Sequence, residues 1–161
     1  MLARTGDDPG HVLARLNDEI CETATRGMFV TMAAGLYDPG DGSARISNAG
    51  HEPPLYRSRS GAFEAFPADA PPLGIVPGCE FPESRLSMAG GSLYLCSDGL
   101  TEAACATGEQ LGRAGLERLI DRFASKPISE RIEAIAGDLS ECEVHDDLTL
   151  LGVSDEDSPR G

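Results

Sequence analysis

The sequence predicts an α+β domain, a mostly antiparallel sheet with helices packed on it. Three observations carry that prediction. Short apolar runs recur in pairs separated by tight-turn residues, as hairpins require. Apolar stripes of helical period are confined to one segment near the N-terminus and two near the C-terminus. The 161 residues, 40% of them hydrophobic, are enough for one buried core and show no internal repeat or linker.

The elements follow in order. "DDPGHVLARLNDEICETA" reads as a helix: Asp7 or Asp8 can cap it, Pro9 suits its first turn, and Val12, Leu13, Leu16 and Ile20 share a face. "MFVTMAAGLYD" (28–38) is apolar at both parities, as in a strand covered on two faces. "PGDGS" then turns the chain into "ARIS" (44–47), which makes a hairpin. "NAGHEPP" is an irregular loop, since Gly50 and Pro53-Pro54 deny it a regular ladder. "LYRSR" and "AFEAF" flank Ser60-Gly61 as strand, turn and strand, and "PPLGI" and "ESRLSM" continue the pattern. The apolar strand "SLYLC" follows. Helices are expected at 112–124 and 128–139, whose stripes are Leu116, Leu119, Ile120 and Phe123, then Ile128, Ile132, Ile135 and Leu139. A strand at 148–153 closes the domain (1–153), and 154–161 is a charged tail expected to be disordered.

Bulk properties exclude several roles. Acids outnumber bases 27 to 13, a net charge of −14, which argues against binding nucleic acid. Lys126 is the only lysine. No apolar run reaches the ~18 residues of a membrane span, and the N-terminus has no stretch of signal-peptide length, so a cytoplasmic protein without membrane insertion is expected. Five cysteines (Cys21, Cys79, Cys96, Cys105, Cys142) are odd in number and never spaced CxxC, which predicts reduced thiols rather than a disulfide framework or a zinc site. Cys96, inside an apolar strand, reads as a small core hydrophobe.

The chemistry is concentrated at two strand ends. "SLYLCSDGLTEA" runs an apolar strand into Asp98 and Gly99, whereas "HDDLTLLGV" sets Asp146 and Asp147 before an apolar strand. If the two strands are antiparallel neighbours, Asp98 and Asp146 share one edge of the sheet. Two carboxylates ~4 Å apart repel by ~4 kcal/mol at an effective dielectric near 20, and a hard divalent cation such as Mg²⁺ or Mn²⁺ relieves that conflict. Gly99 lets the chain turn sharply away. Ordinary turn chemistry is the competing reading, because Asp-Gly is a common turn dipeptide.

The ordered set "GMFVTMAAGLYD…NAGHEPPLY…PPLGI…GGSLYLCSDGLTEA…HDDLTLLGV" resembles the bacterial metal-dependent protein serine/threonine phosphatases of the PPM type. Within them it is most similar to the subgroup of the stage II sporulation phosphatase and the sigma-factor regulatory phosphatases. The likeness runs from about residue 9 to 153. It implies part of an α-β-β-α sandwich with a dinuclear Mn²⁺ or Mg²⁺ centre at one end of the sheets. It also implies hydrolysis of phosphoserine or phosphothreonine by metal-activated water, without a covalent phosphoenzyme. Asp98 and Asp146 match metal-binding aspartates of the family, with Asp147 and Gly99 in support. The implied partner is a phosphorylated regulatory protein, such as an anti-sigma-factor antagonist in a partner-switching circuit.

One motif of the family has no counterpart here. The pattern "GDVSGHG", whose aspartate bridges the two metals, is missing, and Gly6-Asp7 and Asp8 do not replace it. The chain thus corresponds to the C-terminal portion of such a domain, with at most a partial metal site, and little or no turnover is expected of it alone. It reads as a piece of a longer phosphatase or as a shortened, non-catalytic relative that binds a regulatory protein. An incomplete sandwich would expose apolar surface, so self-association is expected.

The histidines are weaker candidates. His51 in "NAGHEPP" could serve as acid or base but reads better as a loop brace. His145 could orient Asp146 from behind or simply be exposed. His11 reads as structural or solvated. Thr101 and Glu102 could order the turn after Asp98 by hydrogen bonds.

Overall fold

The computed structural model describes residues 8–23, 27–105, 108–144 and 146–155. Helices and antiparallel sheets make it an α+β fold, as the hairpin pattern predicts. The chain divides into two compact units, one built from residues up to Pro54 together with Ala65–Ala89, the other from Leu55–Glu64 and from Gly90 onward.

The first unit starts with α1 (Pro9–Thr23) and the hairpin β1 (Met32–Asp38) and β2 (Ser43–Ala49), with β5 (Ser84–Ser87) on the far side of β2. The β1–β2 register runs from Met32↔Ala49 to Asp38↔Ser43. Asp38 closes the turn: its side chain accepts from the Gly40 N–H at 2.8 Å and its carbonyl from the Gly42 N–H at 2.9 Å. Leu13 of α1 packs with Ala49, Leu73 and Phe81, and Leu16, Ile20, Met32 and Ala34 extend that cluster.

Two expectations for this unit need correction. β1 is not covered on both faces: none of its residues is buried and Leu36 is exposed, as are Met28, Phe29 and Val30 ahead of it. Apolar character at both parities therefore does not mean burial on both faces here. "PPLGI" forms no strand; Leu73 makes an isolated bridge to Val30 instead. At the start of α1, Asp7, one of the two expected caps, lies outside the described residues. The Asp8 side chain pairs with Arg45, and the Gly10 N–H donates to Glu83 Oε1 at 2.9 Å, so a distant carboxylate satisfies a free amide of the first turn.

The second unit holds a four-stranded sheet ordered β4-β3-β6-β7, comprising β3 (Leu55–Arg57), β4 (Phe63–Ala65), β6 (Ser92–Cys96) and β7 (Leu150–Ser154). Three helices join it: α2 (Asp98–Thr101), α3 (Gly112–Arg122) and α4 (Ile128–Leu139). The last two fall on the predicted stripes, and Leu116, Leu119, Ile120, Ile135 and Leu139 are buried. α4 packs on β7, where a Cβ on Gly152 would lie 2.9 Å from Ile128 Cδ1.

Arg131 anchors α4 to the sheet. Fully buried, it donates to Ser92 Oγ at 3.0 Å and Tyr94 Oη at 2.6 Å, and to the carbonyls of Ala124 and Lys126 at 2.8 Å each. The cysteine expectation fails for one pair: Cys105 and Cys142 are joined by a disulfide, with Cα atoms 4.3 Å apart. Cys21, Cys79 and Cys96 are not disulfide-bonded, and Cys96 is buried in β6. Beyond residue 155 the expected tail lies outside the described residues.

Candidate functional site

β6 and β7 are antiparallel neighbours, paired from Ser92↔Ser154 to Cys96↔Leu150. The end of β6 thus lies beside the start of β7, and the acids that flank them come to one edge. Ser97 ties the two segments beyond the last ladder pair. Its N–H donates to the Thr149 carbonyl at 3.1 Å, its hydroxyl donates to the Asp147 carbonyl at 2.8 Å, and it accepts from the Thr149 N–H at 3.0 Å.

After Ser97 the chain enters α2 directly. The Asp98 carbonyl accepts from the Glu102 N–H at 2.8 Å and from Thr101 Oγ1 at 3.1 Å, which closes one helical turn. Gly99 is helical rather than a positive-φ turn residue, so the reason for a glycine differs from the one expected. A Cβ at that position would lie 2.6 Å from the Asp147 carbonyl oxygen and 3.1 Å from that of Asp146. The glycine is required by close approach between the two acid-bearing segments.

The two leading carboxylates are held alike. Asp98 Oδ1 accepts from the Gly99 N–H at 2.9 Å, and Asp146 Oδ1 accepts from the Asp147 N–H at 2.7 Å. Each side chain is oriented through one oxygen by the next amide, and its second oxygen has no hydrogen bond among the described residues. Asp98, Asp146 and Asp147 are all exposed.

This donor set suits a hard cation: Mg²⁺ or Mn²⁺ prefers carboxylate oxygen and keeps several waters. Asp98 and Asp146 could each supply one oxygen, with Asp147 adjacent. Among the described residues no group of three or more His, Cys, Asp or Glu side chains is gathered as a metal cluster. Two carboxylates whose segments meet at one edge have the donor chemistry that such a cation takes.

His51 lies in the first unit, on a loop held by Asn48. The His51 N–H donates to Asn48 Oδ1 at 2.9 Å, and Asn48 Nδ2 donates to the carbonyls of His51 and Phe66, both at 3.1 Å. The His51 ring meets Thr31 Oγ1 at 3.2 Å. His11 is exposed on α1, 3.9 Å from Asp8. His145 lies outside the described residues.

The sequence reading missed Asn17, which is fully buried on α1. Its Nδ2 donates to the Val76 carbonyl at 2.9 Å, and its Oδ1 accepts from the Gly74 N–H at 3.0 Å. A polar residue interrupting the apolar stripe between Leu16 and Ile20 was the available signal.

The family model for stage II sporulation protein E (SpoIIE) matches residues 1–154. The chain belongs to the SpoIIE family. Among curated relatives it is 30% identical to the phosphoserine phosphatase RsbU of Bacillus subtilis, over 93% of this chain and 46% of that protein. It is also 30% identical to protein IcfG of Synechocystis, over 85% of this chain and 22% of that protein. The chain thus spans half or less of the length of these relatives. SpoIIE-family membership agrees with the structural neighbours. The SiaA PP2C domain of Pseudomonas aeruginosa superposes with a TM-score of 0.74 at 20% identity, over 91% of this chain and 61% of that one. The phosphatase domain of SpoIIE from Bacillus subtilis, in a crystal presoaked in Mn, superposes with a TM-score of 0.62 at 19% identity, over 94% and 67%. The fold of this SpoIIE-family chain is therefore that of PP2C-type domains.

Among the described residues no helix is long and apolar enough to cross a membrane.

Proposed function

We propose that this chain belongs to a metal-dependent protein serine/threonine phosphatase that hydrolyses phosphoserine or phosphothreonine on a cytoplasmic regulatory protein. Asp98 and Asp146 are its metal ligands, for Mn²⁺ or Mg²⁺, with Gly99 and Asp147 in support. One observation carries the reading. The antiparallel β6–β7 pair, closed by Ser97 and by the contact of Gly99 with Asp147, bears both acids at one sheet edge.

A divalent cation held there supplies Lewis-acid stabilisation of phosphoryl oxygens and activation of water. The protein's own part is positional. The Gly99 and Asp147 amides orient the two carboxylates, and Ser97 keeps their backbones together. Exposure of all three acids leaves room for a phosphorylated side chain carried by another protein. The phosphoserine phosphatase RsbU, at 30% identity, supports the substrate class. A neighbouring structure that joins RsbU and RsbW domains, from Mycobacterium tuberculosis, supports a partner in regulatory switching such as an anti-sigma-factor antagonist.

A second reading is a phosphatase-like module that binds a regulatory protein without turnover. Exposed Met28, Phe29, Ile75 and Val76 offer apolar surface for that partner or for self-association. Hydrolysis of a phosphoserine peptide by the full protein, with and without Mn²⁺, separates the two. Mn²⁺-dependent turnover lost in Asp98→Asn and in Asp146→Asn supports the enzyme. Partner binding without turnover supports the module.

A further inference from the structure

The segments that carry the candidate acids are tied at a second place. Asp98 opens the segment that Cys105 closes, and Cys142 stands shortly before Asp146. The Cys105–Cys142 disulfide joins them covalently. Beside it Ala104 and Glu143 exchange two backbone hydrogen bonds, at 2.9 and 2.8 Å. At the other end stand the Ser97 hydrogen bonds and the contact between Gly99 and Asp147. The acid-bearing loops are thus pinned from both sides.

The disulfide is also reachable. Both cysteines are only partly buried, and both line an open cleft of about 540 Å³. Arg118 and Glu141 stand in the same cleft, where Arg122 and Asp138 form an ion pair with each other. Arg118 and Glu141, of opposite sign and lining the cleft of the two cysteines, suit a small zwitterionic thiol, one that carries an amine and carboxylates. In a cytoplasmic protein a disulfide is usually transient and redox-sensing.

We propose that Cys105–Cys142 is a reversible thiol–disulfide exchange site for a small zwitterionic disulfide, and that its oxidised form clamps the two segments bearing Asp98 and Asp146. In the oxidising direction one cysteine thiolate attacks the small disulfide and one small thiolate leaves. The second cysteine then displaces the other small thiolate from the mixed disulfide. Two protein thiols lose two electrons and two protons, and the small disulfide takes them up as two small thiols. Reduction leaves the Ala104–Glu143 backbone pair without its covalent neighbour, so the acid-bearing loops open more often. Its effect on a metal rests on the function proposed above; its effect on the loops does not.

The test uses the whole chain, equilibrated with oxidised or with reduced glutathione. Mass spectrometry after alkylation reads the state of Cys105 and Cys142. Amide hydrogen exchange reads Ala104, Glu143 and Thr149, with Leu73 as reference, and Mn²⁺ titration reads affinity. The expected result is a Cys105–Cys142 bond after oxidation, at least tenfold faster exchange at the three amides after reduction, and at least fivefold weaker Mn²⁺ binding. Cys142→Ser in the presence of oxidised glutathione should exchange like the reduced chain. Failure of the bond to form, or exchange indifferent to reduction, overturns the clamp. Mn²⁺ binding equal in both states overturns its coupling to the acids. Faster exchange with no Mn²⁺ binding in either state supports the clamp and overturns the metal reading instead.

Discussion

Gly99 lies so close to the backbone of Asp147 that a Cβ on it would meet the Asp147 carbonyl oxygen at 2.6 Å. That contact joins the end of β6 to the start of β7 where Asp98 and Asp146 emerge. The obstructing atom belongs to the backbone, so no side-chain rotation relieves it. Gly99→Ala should destabilise the protein by about 1–3 kcal/mol, the range for overpacking a filled site. Denaturant unfolding measures it. Gly137→Ala is the control: Gly137 is within α4 and its added Cβ meets nothing within 4 Å. That change should stabilise by about 0.5–1 kcal/mol through helix propensity.

Arg131 places a buried guanidinium between α4 and β6, with hydroxyls of Ser92 and Tyr94 and two carbonyls around it. Arg131→Ala would strip partners from these buried groups and leave a void. A loss of about 3 kcal/mol or more is expected, read as a lower midpoint in chemical unfolding. A change within ±0.5 kcal/mol would contradict the anchoring role.

Tyr56 has its pKa raised, first by burial and then by the negative charges of Asp155 and Glu64. The folded state therefore favours the neutral phenol more than the unfolded state does. The stability this lends is fully present below the unfolded value near 10 and is lost as pH rises through the folded pKa. Stability against pH should show a loss above pH ~10 that is smaller in Tyr56→Phe. An identical alkaline limb in both proteins would count against it.

Asn17 holds the loop after Leu73 through Val76 and Gly74. Asn17→Leu keeps approximate size but abandons both backbone groups, and should cost about 1–3 kcal/mol. Thermal unfolding reads the loss. An Asn17→Leu protein as stable as the parent would show that water replaces the side chain.

What the sequence made legible follows from how local each signal is. The α3 and α4 stripes need only a helical period, and both helices fall where Leu116, Ile120, Ile135 and Leu139 recur. The sequence leaves the pairing of "SLYLC" with the C-terminal strand as a supposition, and the ladder joins those strands. Other features depend on distant partners. Glu83 reaching the first turn of α1, and Cys105 meeting Cys142, join positions that no spacing rule relates. α2 was hidden because one helical turn is too short to show a period, and Asp-Gly suggested a turn instead. β1 looked buried on both faces because its composition is apolar, yet its position at a sheet edge is decided by topology. At the candidate site, the acids were legible by type and place. The reason for Gly99 was not, since close approach of another segment leaves no local mark.

In the proposed function Asp98 and Asp146 together bind one divalent cation at the β6–β7 edge. Thermal unfolding against rising Mn²⁺, for the parent, Asp98→Asn and Asp146→Asn, tests it most directly. A ligand that binds only the folded state adds about 2.7 kcal/mol at one hundred times its Kd. A rising melting temperature is expected for the parent and none for either variant. A parent indifferent to Mn²⁺, or variants stabilised as strongly as the parent, would contradict it.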